Sequence, residues 1–67
     1  MPPSKRLAMR LRQMREERGI TQDALARQAR ISRVYLAQLE RHRQDPSLSV
    51  LVRLARALKV KVGDLVD

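Results

Sequence analysis

Hydrophobic residues recur three and four positions apart along most of this chain, the spacing of one face of an α-helix. Leu7, Leu11 and Met14 form the first such stripe and predict a helix over 5–18. Ser4 stands where a cap belongs, and Gly19 suits the left-handed position that closes a helix. Leu25, Ala26 and Ala29 define a second helix over 22–29, opened by Thr21, and its two alanines let another helix approach closely. Leu36 and Leu39 mark the inside of a third helix over 33–41, opened by Ser32. A fourth covers 48–58 after Pro46 and Ser47, with Leu48, Leu51, Leu54, Ala55 and Leu58 on one face. A short fifth runs over 63–66 with Leu65 pointing in. The stretch VLVRL has strand-like composition but lies inside the fourth helical stripe. The fold expected is therefore all-α: five helices over 6–67, preceded by a short tail, 1–5.

Only residues 30–32 separate the second and third helices. A link that short forces a steep crossing, the geometry of a helix-turn-helix. The third helix then poses a question. With Leu36 and Leu39 inside, Val34, Ala37, Gln38 and Arg41 lie opposite, and Arg33 projects from the first turn. An exposed valine at the front of so tightly framed a helix asks for something other than water to meet.

Charge narrows the choice. The 67 residues hold 15 Lys+Arg against 7 Asp+Glu, a net +8. Residues 1–43 carry 11 basic and 4 acidic side chains, so the first two-thirds hold +7 of it. Such asymmetry points to a polyanion partner, although a solvated arginine-rich surface gives the same count. The chain has no cysteine and one histidine, His42, which excludes disulfides and leaves no zinc site. No paired inward carboxylates accompany that histidine, so there is no general acid–base constellation, and neither enzyme activity nor a metal or other cofactor is expected. No apolar run approaches the ~18 residues of a membrane span, and the N-terminus lacks the apolar core of a signal peptide. The expected compartment is the cytoplasm, with no membrane partner.

Four stretches in order, LRQMREERGITQDALA, ISRVYLAQLE, DPSLSVLVRLARAL and DLV, resemble the Xre/Cro/phage-repressor type of helix-turn-helix family. The resemblance covers residues 7–66. It implies a compact five-helix, lambda-repressor-like domain whose third helix enters the major groove of double-stranded DNA. By that resemblance Arg33, Val34, Ala37 and Gln38 match base-reading positions. The chemistry agrees: valine suits a thymine methyl group, glutamine pairs with adenine, and arginine with guanine. Gln22 matches a phosphate-binding position at a helix N-terminus, where free N–H groups attract anions. Ser32, Tyr35, Arg41 and Arg43 are further phosphate candidates. Ser32 caps its helix in either case, the Tyr35 ring has core packing as an equal alternative, and the two arginines have a solvated loop. Glu40 would repel phosphate, and Arg15 matches the family position that pairs with it, implying a clamp between helices 1 and 3. The chain departs from the family at Arg30, His42 and Lys59, where glycine is common, and at Lys61, where Ser or Thr usually caps helix 5.

The resemblance further implies a short standalone transcriptional regulator, acting as a homodimer on a near-palindromic operator with half-sites roughly 34 Å apart. Val60, Val62, Leu65 and Val66 lie in the least charged part and are the expected dimer surface, unless they complete the monomer core. No small-molecule ligand is expected. Restriction–modification controllers, phage repressors and antitoxins are all short members of this family. The competing readings are an antitoxin-like or other protein-interaction module with secondary DNA binding, and RNA binding through the same basic face.

Overall fold

The computed structural model describes residues 4–67; residues 1–3 of the expected tail, and the Ser4 side chain on which the expected first cap rests, lie outside what it describes. Five helices follow in order: α1 (Ser4–Glu17), α2 (Gln22–Ala29), α3 (Arg33–Glu40), α4 (Leu48–Leu58) and α5 (Val62–Val66). Among the described residues there is no strand. The α1 helix takes in Ser4, expected as its cap, and ends at Glu17, one residue before the expected end, and α5 begins one residue earlier than its apolar pattern suggests. The α2 helix packs on both α3 and α4, α1 on α3 and α5, and α4 on α5. Six leucines, Leu11, Leu25, Leu36, Leu54, Leu58 and Leu65, fill the centre and are fully buried. Ala26, Ala29 and Ala55 lie buried among them, and the small side chains bring the helix axes close.

The starts of α2, α3, α4 and α5 are set by local chemistry. Thr21, Ser32 and Ser47 have extended backbones, and their hydroxyls accept from the N–H of Ala24 (3.1 Å), Tyr35 (3.0 Å) and Val50 (3.2 Å). Each cap satisfies one donor that the helix cannot. Lys61 has no such oxygen. There the Asp64 carboxylate reaches back and accepts from the Lys61 N–H at 2.9 Å.

The ends repeat one closure four times. Gly19, Arg30, His42 and Lys59 take the left-handed conformation, with φ of 64°, 60°, 58° and 60°. The next N–H folds back onto the carbonyl five residues earlier: Ile20 to Arg15 (3.1 Å), Ile31 to Ala26 (2.9 Å), Arg43 to Gln38 (2.8 Å) and Val60 to Ala55 (2.9 Å). This is the Schellman closure. The three positions that lack glycine keep the glycine geometry, at a cost of roughly 1 kcal/mol each. In three of the four turns the following residue, Ile20, Ile31 or Val60, packs against the core and holds the turn shut. The exception is Arg43, after α3, which is exposed.

One expected core position is corrected. Leu48 is 70% exposed, and Val50 is buried in its place alongside Leu54, Ala55 and Leu58. On a helical wheel Leu48 shares its side with buried Ala55, seven residues later, so its exposure goes with its place as the first residue of α4 rather than with its face. Arginines close two helix ends from outside. Arg18 donates through Nε to the Leu58 carbonyl (3.0 Å) at the end of α4, and Arg10 through Nε to the Asp64 carbonyl (2.8 Å) in α5.

Two substitutions test this account by urea unfolding. Lys59→Gly relieves the left-handed strain and is expected to raise stability by up to ~1 kcal/mol. Ser47→Ala removes the α4 cap and is expected to lower it by about 1 kcal/mol. A loss of stability in Lys59→Gly would show that the lysine side chain, rather than the turn geometry, holds that end.

Candidate nucleic-acid interface

The outward side of α3 is built by what is buried beneath it. Leu36 and Leu39 lie in the core, so Arg33 and Val34 project from the first turn and Ala37 and Gln38 are half-buried beside them. Val34 is 63% exposed. Neither Arg33, Arg41 nor Arg43 pairs with a carboxylate among the described residues, and all three are exposed. The Gln38 Oε1 accepts from Gln44 Nε2 at 3.3 Å, so a loop residue orients the amide of a candidate base reader. Ser32 caps α3, and Tyr35 packs its ring against the core.

The single carboxylate of α3 is turned away from this face. Glu40 is buried, and Arg15 grips it with Nε at 2.7 Å from Oε2 and Nη2 at 3.1 Å from Oε1. Gln22 donates its Nε2 to the same Oε1 at 3.1 Å. The third arm of Arg15, Nη1, donates to the Ile20 carbonyl at 2.8 Å in the α1–α2 turn. One guanidinium thus joins α1, that turn and α3, while Gln22 brings in the start of α2. The hydrogen bond to Glu40 raises the Arg15 pKa above its ordinary value, against the pull of burial, so the cation persists throughout the working pH range.

Beside this network a cleft of about 180 Å³ is lined by Arg12, Arg15, Glu16, Gln22, Glu40 and Arg41. Its exposed cations, Arg12 and Arg41, flank the N-terminus of α2, where helical N–H groups lack intrahelical partners. The structure thus brings Gln22 and Arg41 together, and leaves Arg43 and Tyr35 outside this cleft. Arg12 and Gln44 escaped the sequence reading. Arg12 stands three residues before Arg15 on α1, a helical spacing that offered a signal. Gln44 lies in an irregular loop and offered none.

The expected dimer surface is corrected at Leu65. It has no exposed area, so it supports α5 from beneath and has nothing to offer a partner. Val60, Val62 and Val66 pack partly on the core and keep part of their surface outside.

Losing one partner of a buried, hydrogen-bonded ion pair costs ~3–5 kcal/mol. Arg15→Met is therefore expected to destabilise strongly. Arg12→Met, which breaks an exposed pair with Glu16, is expected to cost under ~1 kcal/mol. The double variant Arg15→Met/Glu40→Leu should recover most of the loss. Equal unfolding midpoints for the two single variants would show that the buried network does not hold the helices.

The helix-turn-helix family pattern (HTH_3) matches residues 11–65. The chain is 45% identical over 60 residues to an immunity repressor protein of Bacillus phage phi105, covering 90% of this chain and 42% of that one. It is 44% identical over 62 residues to the HTH-type transcriptional regulator DdrOP3 of Deinococcus deserti, covering 92% and 48%. It spans less than half the length of either relative. Among solved structures, the crystal structure of SinR, a master regulator for biofilm formation, in complex with DNA superposes with a TM-score of 0.87 at 34% identity, covering 91% of this chain and 98% of that one. The capped α2 and α3 joined by a three-residue turn, together with these matches, establish that the chain belongs to the Xre/Cro type of helix-turn-helix family.

Proposed function

We propose that the chain is a sequence-specific, duplex-DNA-binding transcriptional regulator, with α3 in the major groove. The observation that carries this reading is the division of α3. Its one carboxylate is locked inward by Arg15 and Gln22, while Val34 stands exposed with Arg33 and Gln38 on the outward side. In a groove the Val34 methyls meet a thymine methyl, Arg33 meets guanine O6 and N7, and Gln38 meets adenine N6 and N7. Ala37 supplies a short wall that lets the helix approach the bases. Gln44 already orients the Gln38 amide, which reduces the ordering cost of that contact.

Phosphates set affinity and register in such a complex. The cleft at the start of α2 suits one backbone phosphate, met by Arg12, Arg41, the Gln22 amide and the α2 N–H groups. Arg43, Ser32 and the Tyr35 hydroxyl are candidates for neighbouring phosphates along the same strand.

The same reading includes a homodimer on a near-palindromic operator with half-sites roughly 34 Å apart. A domain whose longest dimension is 30 Å offers one copy a limited interface, and Val60, Val62 and Val66 at the α4–α5 end supply partly exposed apolar area that would join two.

The test is selection of bound sequences from a random-duplex pool at ~0.15 M salt, with wild type and Gln38→Ala in parallel. A near-palindromic motif that loses adenine preference in the variant is expected, with each disrupted base contact costing ~1–3 kcal/mol. Motif-free binding that is the same for both proteins would reduce the α3 face to an electrostatic footprint. It would move a protein-partner role to first place.

A further inference from the structure

A second cationic cleft lies at the junction of α2 and α4, and no residue of α3 lines it. Its volume is about 400 Å³, and Gln28, Arg30, Arg53, Arg56 and Ala57 form its walls. That size falls within the ~300–1,000 Å³ range of small-molecule sites. Three guanidiniums share the opening, and no carboxylate of the described residues pairs with any of them. Some arginines elsewhere are matched, Arg12 to Glu16, Arg27 to Asp23, Arg10 and Arg18 to backbone carbonyls, whereas Arg33, Arg41 and Arg43 on and after α3 have no carboxylate partner among the described residues either.

Arg53 is the least satisfied of the three. Its Nη1 stands 3.5 Å from the Arg30 carbonyl, at the far limit of a hydrogen bond, and its Nε is buried without any partner. A buried, charged donor with no acceptor is unfavourable, and three like charges around one opening add repulsion. Arg30 sharpens the point. It holds a left-handed turn at φ 60°, where glycine would fit without strain, and so places a guanidinium at the cleft.

We propose that this cleft binds a small phosphate-bearing anion. Three arginine forks match a group with three or more acceptor oxygens better than the two oxygens of a carboxylate. The guanidiniums of Arg53, Arg56 and Arg30 hold the phosphate, the Gln28 amide addresses the group attached to it, and Ala57 forms an apolar wall. The cleft shares neither residues with the Arg12–Gln22–Arg41 cleft nor any part of α3, so its occupant is a free anion rather than the duplex backbone read by α3.

The experiment follows arginine Nε–H signals by NMR while the full chain is titrated with pyrophosphate at constant ionic strength. Saturable shifts at Arg53 and Arg56, well above those at exposed Arg6 and Arg27, are expected. Arg56 is exposed, so Arg56→Gln should leave the unfolding midpoint unchanged and weaken pyrophosphate binding about ten-fold, the loss of one charge-assisted contact. Shifts that grow linearly and equally over all arginines, or an Arg56→Gln variant that binds as wild type, would overturn the proposal. A parallel titration with a short duplex separates the sources. Saturation of the Arg53 signal by duplex and not by pyrophosphate assigns the cleft to the DNA backbone and also overturns the proposal. None of these outcomes depends on whether α3 reads bases.

Discussion

The Glu40 carboxylate lies at the back of a helix whose front offers Arg33, Val34 and Gln38 to solvent, and it is held by Arg15 from two nitrogens and by Gln22 from a third. Removing a carboxylate from water is costly unless all its lone pairs are met, and here the partners come from α1 and from the first residue of α2. The angle at which α3 leaves the domain therefore depends on an ion pair as well as on packing. The leucines beneath α3 would tolerate small rotations of the helix, but a bidentate guanidinium tolerates few. The arrangement also removes from the outward face the one α3 charge that a polyanion would meet unfavourably.

Two groups of basic residues in this chain do opposite work. Arg10, Arg15 and Arg18 turn their guanidiniums to backbone carbonyls or to Glu40 and serve the fold. Arg33, Arg41 and Arg43 face outward without carboxylate partners. A net charge of +8 therefore overstates what is available to a nucleic acid, because part of it closes helix ends. In a domain this small, with one tyrosine as its only aromatic residue, polar closure of the helix ends supplements a core made of leucine and alanine.

Much of this was legible in the sequence where the chemistry is local. Thr21, Ser32 and Ser47 announced three helix starts, because a cap depends only on the three residues that follow it. The leucine stripes gave the buried faces, except at Leu48, the first residue of α4, because periodicity does not show how far along a helix its neighbours cover it. Leu65 was read both as core and as interface, and burial decides for core. The pairing of Arg15 with Glu40 spans 25 positions, and family resemblance alone suggested it. The orientation of Gln38 by Gln44 and the orphaned Nε of Arg53 had no sequence signal, because both depend on loop and helix positions that no periodicity encodes.

The exposed Val34 has a further consequence for how copies of this protein behave in solution. Hydrophobic side chains in the open invite self-association, yet this one belongs to a helix face shared with Arg33 and continued by Arg41 and Arg43. Two molecules meeting through that face would press like charges together before the valines could touch. The methyl groups are thus shielded from other copies by the electric field around them, and are open only to a surface that carries the opposite sign. The same arginines that would draw in a polyanion oppose contact between copies through this face.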